Sequence, residues 1–127
     1  MTTTAETLLI TALEGDAAVT THVGTRIYPL VLPQKPTLPA ITFQRVSNVR
    51  INSFDAGGGI DNPLLQVDSW AATRKAARDL AMEIKRVVEA STTLNAWLVN
   101  DAEFFEADVD PKLYRVAQDF STWVKEV

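Results

Sequence analysis

Between Thr73 and Ser91 the chain reads TRKAARDLAMEIKRVVEAS, and this segment constrains the fold more than any other. Ala77, Leu80, Ala81, Ile84, Val87 and Val88 recur at spacings of three and four, so one side of a helix is apolar. Arg74, Lys75, Arg78, Asp79, Lys85, Arg86 and Glu89 fall mainly elsewhere. A helix with one apolar stripe and one charged side packs that stripe on a sheet and turns its charges to water. The question is then where the sheet lies.

The flanking segments alternate with period two. Residues 40–48 place Ile41 and Phe43 on one face and Thr42 and Gln44 on the other. In PLLQVDSWA (63–71), Leu65, Val67 and Ser69 share a face, opposite Leu64, Gln66, Asp68 and Trp70. AWLVNDAEFFEADV and KLYRVAQDFSTWVKE read as a hairpin turned at Asp110-Pro111. Tyr114, Val116 and Phe120 fall on one face of the second of these strands, with Arg115, Asp119 and Trp123 on the other. Pro29, Pro33, Pro36 and Pro39 interrupt the segment before them, which leaves residues 26–32 as an edge strand and 33–39 as an extended linker. At the start, Thr3 and Glu6 have capping-box spacing. Leu8, Leu9, Ala12 and Leu13 form a stripe, and Gly15 is expected to end the helix in a left-handed conformation. Asp16 caps a further turn that Gly24 closes. The expected architecture is α+β: a single twisted, mainly antiparallel sheet with an N-terminal helix and one long amphipathic helix packed on one face. A chain of 127 residues suits one domain, here 1–127, with a flexible loop at about 48–62.

That loop holds SFDAGGGIDNP, residues 53–63, with three successive glycines. No Lys follows them and no helix opens after them, so neither a P-loop nor a dinucleotide fingerprint is present. The loop is long for a strand connection and carries Arg50, Ile51 and Phe54, which a solvated linker would not need. His22 is the sole histidine and there is no cysteine, so a zinc site lacks ligands and a thiolate nucleophile is absent. His22 reads as a surface or cap residue. Asp101, Glu103, Glu106, Asp108 and Asp110 form an acidic run without a base. Such carboxylates can do acid-base work or hold magnesium, but the pattern is a weak signal for it and reads first as a solvated hairpin face, with a surface that repels a polyanion as a third reading. Trp70, Trp97 and Trp123 read as core or interface residues. The net charge of -4 argues against a dedicated nucleic-acid binder. No apolar run approaches the ~20 residues that a membrane helix needs, and the N-terminus lacks a signal-peptide pattern.

The order of motifs resembles the tail completion, or tail terminator, proteins of long-tailed bacteriophages and prophages. The resemblance rests on LLITALEGDAAV, then on Gly24, Arg26, Ile27, Tyr28 and Pro29 in GTRIYPLVLPQ. Leu38, Pro39, Ile41, Phe43 and Arg45 in LPAITFQRVS continue it, followed by Gln66, Val67, Asp68 and Trp70 before the long helix. It covers residues 5 to about 90, with the final hairpin matched only in kind. The resemblance implies a structural protein without enzyme activity, cofactor or metal. It implies a ring, typically a hexamer, on the end of a finished tail tube, with the tail tube protein and the head connector as partners. It implies assembly in the bacterial host cytoplasm, with the product in the virion tail. It assigns no interface residues. The glycine loop (Arg50, Ile51, Phe54, Gly57, Gly58, Gly59) is the candidate assembly segment, and Asp101, Glu103, Glu106 and Asp108 are the candidate acidic lining of a lumen through which DNA passes. Two alternatives stand beside this reading. One is another head-tail connector or minor tail protein. The other is a small oligomeric enzyme or ligand-binding domain, which would need a pocket with convergent polar groups.

Overall fold

The computed structural model describes residues 4–52, 59–106 and 112–125. Helix α1 (Ala5–Glu14) and the short α2 (Ala17–Val23) precede strand β1 (Ile27–Pro29). A long hairpin follows, β2 (Ala40–Asn52) and β3 (Gly59–Ala71), then helix α3 (Arg74–Ala90). A second hairpin, β4 (Trp97–Glu106) and β5 (Leu113–Ser121), completes the chain. The strands form one sheet in the order β1-β2-β3-β5-β4. All neighbours are antiparallel except β1 and β2, which are parallel.

The six residues of the expected α3 stripe are the buried residues of that helix. They pack on one face of the sheet with Ile41, Phe43, Leu65, Val67, Val116 and Phe120, and α1 adds Ala5, Leu9 and Leu13. α3 starts where the Thr73 hydroxyl accepts from the Ala76 amide, one of the donors that a helix start leaves unpaired. Asp16 caps α2 by accepting from the amides of Ala18 and Val19.

Three local expectations change. The cap of α1 is Thr4, not Thr3, accepting from Thr7 N. Glu6 is used instead as an ion-pair partner of Arg45 on β2, which ties α1 to the sheet. Gly15 ends α1 but stays in the right-handed region at φ −81°; a Cβ there would lie 3.1 Å from the Thr11 carbonyl oxygen, so close approach accounts for the glycine. Gly24 is the one with positive φ, at 57°. The largest change is at the expected loop. Residues 48–52 and 59–62 are paired strand, with Asn48 opposite Pro63, Arg50 opposite Asp61 and Asn52 opposite Gly59. Extended pairing satisfies backbone groups that a loop would leave to water. Phe54, Gly57 and Gly58 lie outside the described residues.

Candidate assembly surfaces

The sheet has a face that no described helix covers, and the motif residues of β3 converge there. Trp70 Nε1 donates to Thr42 Oγ1 at 2.9 Å, and that hydroxyl donates to Asp68 Oδ2 at 3.5 Å. Gln66 Nε2 donates to Asp68 Oδ1 at 3.0 Å, and Gln44 Nε2 donates to Gln66 Oε1 at 3.3 Å. Arg115 on β5 donates to Asp68 at 3.3 Å. Its guanidinium carbon sits 4.3 Å from the Phe104 ring centroid and 5.4 Å from that of Trp70, both within cation-π range. Period-two alternation explains the gathering, because Gln66, Asp68 and Trp70 are each two residues apart. The remaining motif residues also have local duties. Arg26 Nε donates to the Pro39 carbonyl at 3.0 Å and its Nη2 to the His22 carbonyl at 3.1 Å. That one side chain fastens the proline segment to the end of α2. His22 is half-buried within the last turn of α2, whose C-cap is Gly24.

The charges on the helix side cancel internally. Arg78 reaches Asp101 at 2.8 Å and Glu103 at 2.6 Å, and Arg74 reaches Glu103 at 2.8 Å. The two arginines hold the Glu103 carboxyl below its ordinary value, Arg78 contributing most. Asp101 first, then Glu103, raises Arg78 further above the range in which it could lose its proton. Arg86 does the same for Asp16, joining α3 to the cap of α2. Two members of the expected acidic lining are therefore neutralised by the helix charges, because the strand spacing of two sets both carboxylates under α3. Glu106 is exposed on β4, and Asp108 lies outside the described residues.

What sequence reasoning passed over is the apolar surface of β4. Trp97, Val99, Phe104 and Phe105 are each roughly half exposed. Trp97 stacks on Trp123 at 6.4 Å and Phe105 on Tyr114 at 4.5 Å. The unalternated runs WLV and FF were the available signal, since they place apolar residues on both faces of one strand. On β2, Val46 and Val49 are more than half exposed, and on β3 Ile60 is 42% exposed. Of the candidate assembly segment, Arg50, Ile51 and Gly59 stand in the paired end of the β2-β3 hairpin.

Nothing in the described residues gathers into a reaction centre. A cleft of about 220 Å³ opens between α3 and the β4-β5 hairpin, but Arg74 and Glu103 on its wall bond to each other. A shallower cleft of about 390 Å³ between α1 and α3 contains Asp16 and Arg86, again mutually paired. No group of three or more potential metal ligands occurs among the described residues. No helix among them is long and apolar enough to cross a membrane.

A chain of the solved structure titled "Virion of native gene transfer agent (GTA) particle" matches this fold with a TM-score of 0.69. The match is at 18% identity and covers 92% of this chain and 91% of that one, a likeness of architecture. A search of curated proteins finds no match. The family described as "Tail completion protein gp17" matches residues 7–125, which takes in the β4-β5 hairpin as well as the motifs before it. A match over nearly the whole length settles the matter: the chain belongs to the tail completion protein gp17 family.

Proposed function

We propose that this protein caps the end of a tail tube as a ring, stops addition of tube subunits and offers the surface that joins the head. The observation that carries this is the family match over residues 7–125. The role is structural, which agrees with charged groups spent on one another and not on a substrate. The similar fold of a chain from a gene transfer agent virion supports a place in a phage-like particle. A ring needs one surface of each subunit to meet a different surface of the next. The end of the β2-β3 hairpin, with Arg50, Ile51 and Phe54 in its sequence, is the segment we assign to contact with the tail. The tail tube protein and the head connector are the partners in this reading, with a hexamer on the tail.

The test is electron microscopy of tails made with and without this protein. Overlong tails lacking heads in its absence, and a ring of added density at the tail end in its presence, are the expected results. Tails of normal length that still join heads without it would overturn the proposal. If removal left length unchanged but blocked head joining, the protein would be a connector on the head side.

A further inference from the structure

Among the described residues the sheet has two open edges on opposite sides, each blunted by a single bulge. β1 covers β2 only from Ile41 to Phe43. From Gln44 to Asn52 the outer side of β2 faces no strand among the described residues. At the other side β4 is, among the described residues, an edge along its full ten residues. An exposed strand edge is a row of unpaired backbone donors and acceptors, and soluble proteins blunt it with Lys, Pro, bulges or short length. β4 is long and has neither Lys nor Pro. Each strand has one bulge, at Val46 and at Val99, but regular runs remain beyond them, 47–52 on β2 and 100–106 on β4. Of the ten exposed large hydrophobic residues among those described, six sit on these two strands. The charged residues in the two strands are also of opposite sign, although Arg45, Asp101 and Glu103 are paired within the subunit. β2 carries Arg45 and Arg50 and no acid, whereas β4 carries Asp101, Glu103 and Glu106 and no base.

We infer that the open edge of β4 in one copy pairs with the open outer edge of β2 in the next copy, so that the sheets run on from subunit to subunit. The two edges differ and lie on opposite sides of one sheet, so the contact is heterologous, and repeating it closes a ring when the rotation permits. Backbone pairing supplies the affinity, as in other cases of strand addition. Val49 and the β4 aromatics supply apolar cover, and Glu106, exposed on β4, disfavours pairing with a second β4. The inference rests on the ring reading above and names the surfaces that would build the ring.

The chain has no cysteine, so introduced thiols report without background. Val49→Cys and Asn100→Cys both alter exposed positions on regular runs. Assembled tails carrying both variants in one chain are treated with a short bifunctional maleimide and run on a denaturing gel. A ladder of linked copies is expected. A mixture of the two single variants should give dimers that contain one of each. Met82→Cys, exposed on the outer side of α3, replaces Asn100→Cys as a control and should give no ladder. Unchanged thermal melts establish that each variant is folded, and a destabilised one is replaced by Ser47→Cys or Glu106→Cys on the same runs. Rings visible on the tails without a Val49-Asn100 link would overturn edge pairing and leave the ring reading standing. Links between two Asn100→Cys chains alone would overturn it in favour of a symmetric β4-β4 contact. Absence of any ring from the tail ends would overturn both.

Discussion

At the scale of single residues, the motif that suggested the family turns out to be a set of structural ties. Asp68 is 7% exposed and accepts from Thr42, Gln66 and Arg115. Asp68→Ala would strand those donors beneath the sheet face, and a loss of ~1–3 kcal/mol in urea melts is expected, with Asp68→Asn losing less. No measurable loss would mean that water replaces the carboxylate. The carboxyl groups of Asp16 and Glu103 titrate below their ordinary values of 3.8 and 4.5, held there chiefly by Arg86 and Arg78. As pH falls the unfolded chain therefore takes up protons first, so the stability these pairs contribute is complete above about pH 5 and is lost as pH falls through the ordinary carboxylate values toward the depressed ones. Glu103→Gln should flatten part of the decline in Tm between about pH 5 and pH 3. Because both groups are near the surface the change is small, and identical slopes for the two proteins would show that the seam contributes nothing.

At the scale of elements, α3 was legible in full and the β2-β3 hairpin only in part. The stripe on α3 needed nothing beyond its own spacing, and Leu80 is fully buried where the stripe placed it. Leu80→Ala should cost ~2–5 kcal/mol, measured by urea denaturation, whereas Met82→Ala on the outer side should change little. The hairpin was misjudged because Ser47 to Asn62 holds polar residues and three glycines, which read locally as loop. Register with the partner strand, and the support of β3 by the C-terminal segment, overrode that preference. Asp61 and Val124 exchange both backbone hydrogen bonds, at 2.8 and 3.0 Å, and Asn62 Nδ2 donates to the Thr122 carbonyl. Under the proposed function, Phe54→Ala and Gly58→Pro should leave thermal melts nearly unchanged and impair tail capping, scored as tail length by electron microscopy. Normal, head-competent tails from both variants would remove this segment from the assembly surface.

At the scale of the whole molecule, the sheet shows the same economy on one face and exposure at its edges. The helix side is closed by α1, α2 and α3, with charged groups paired across the seams. The edges at β2 and β4 keep apolar side chains in solvent. A chain that joins through edges must find them aligned, and dilute copies pay translational entropy for each contact. In dilute solution we therefore expect a monomer or weak oligomer by light scattering, with ring formation favoured at the tail end. A tightly held dimer at micromolar concentration would contradict this and would point to a symmetric use of one edge.

What the sequence determined by itself is whatever depends on short-range periodicity: the helix stripes, the alternation that splits each strand into two faces, the caps at Asp16 and Gly24, and motifs specific enough to suggest a family. Those follow from spacings of two, three and four along one segment. Only the tertiary structure decided which charges meet. Arg78 lies 23 residues before Asp101 and Arg86 lies 70 after Asp16, and no local pattern relates them. It also decided that the glycine-bearing segment is flanked by paired strands and that β4 stands at an edge. Strand order is a property of the whole sheet, set by which neighbours satisfy the backbone and bury the stripe of α3 together. A strand's own residues state its two faces but not which of its sides is left open.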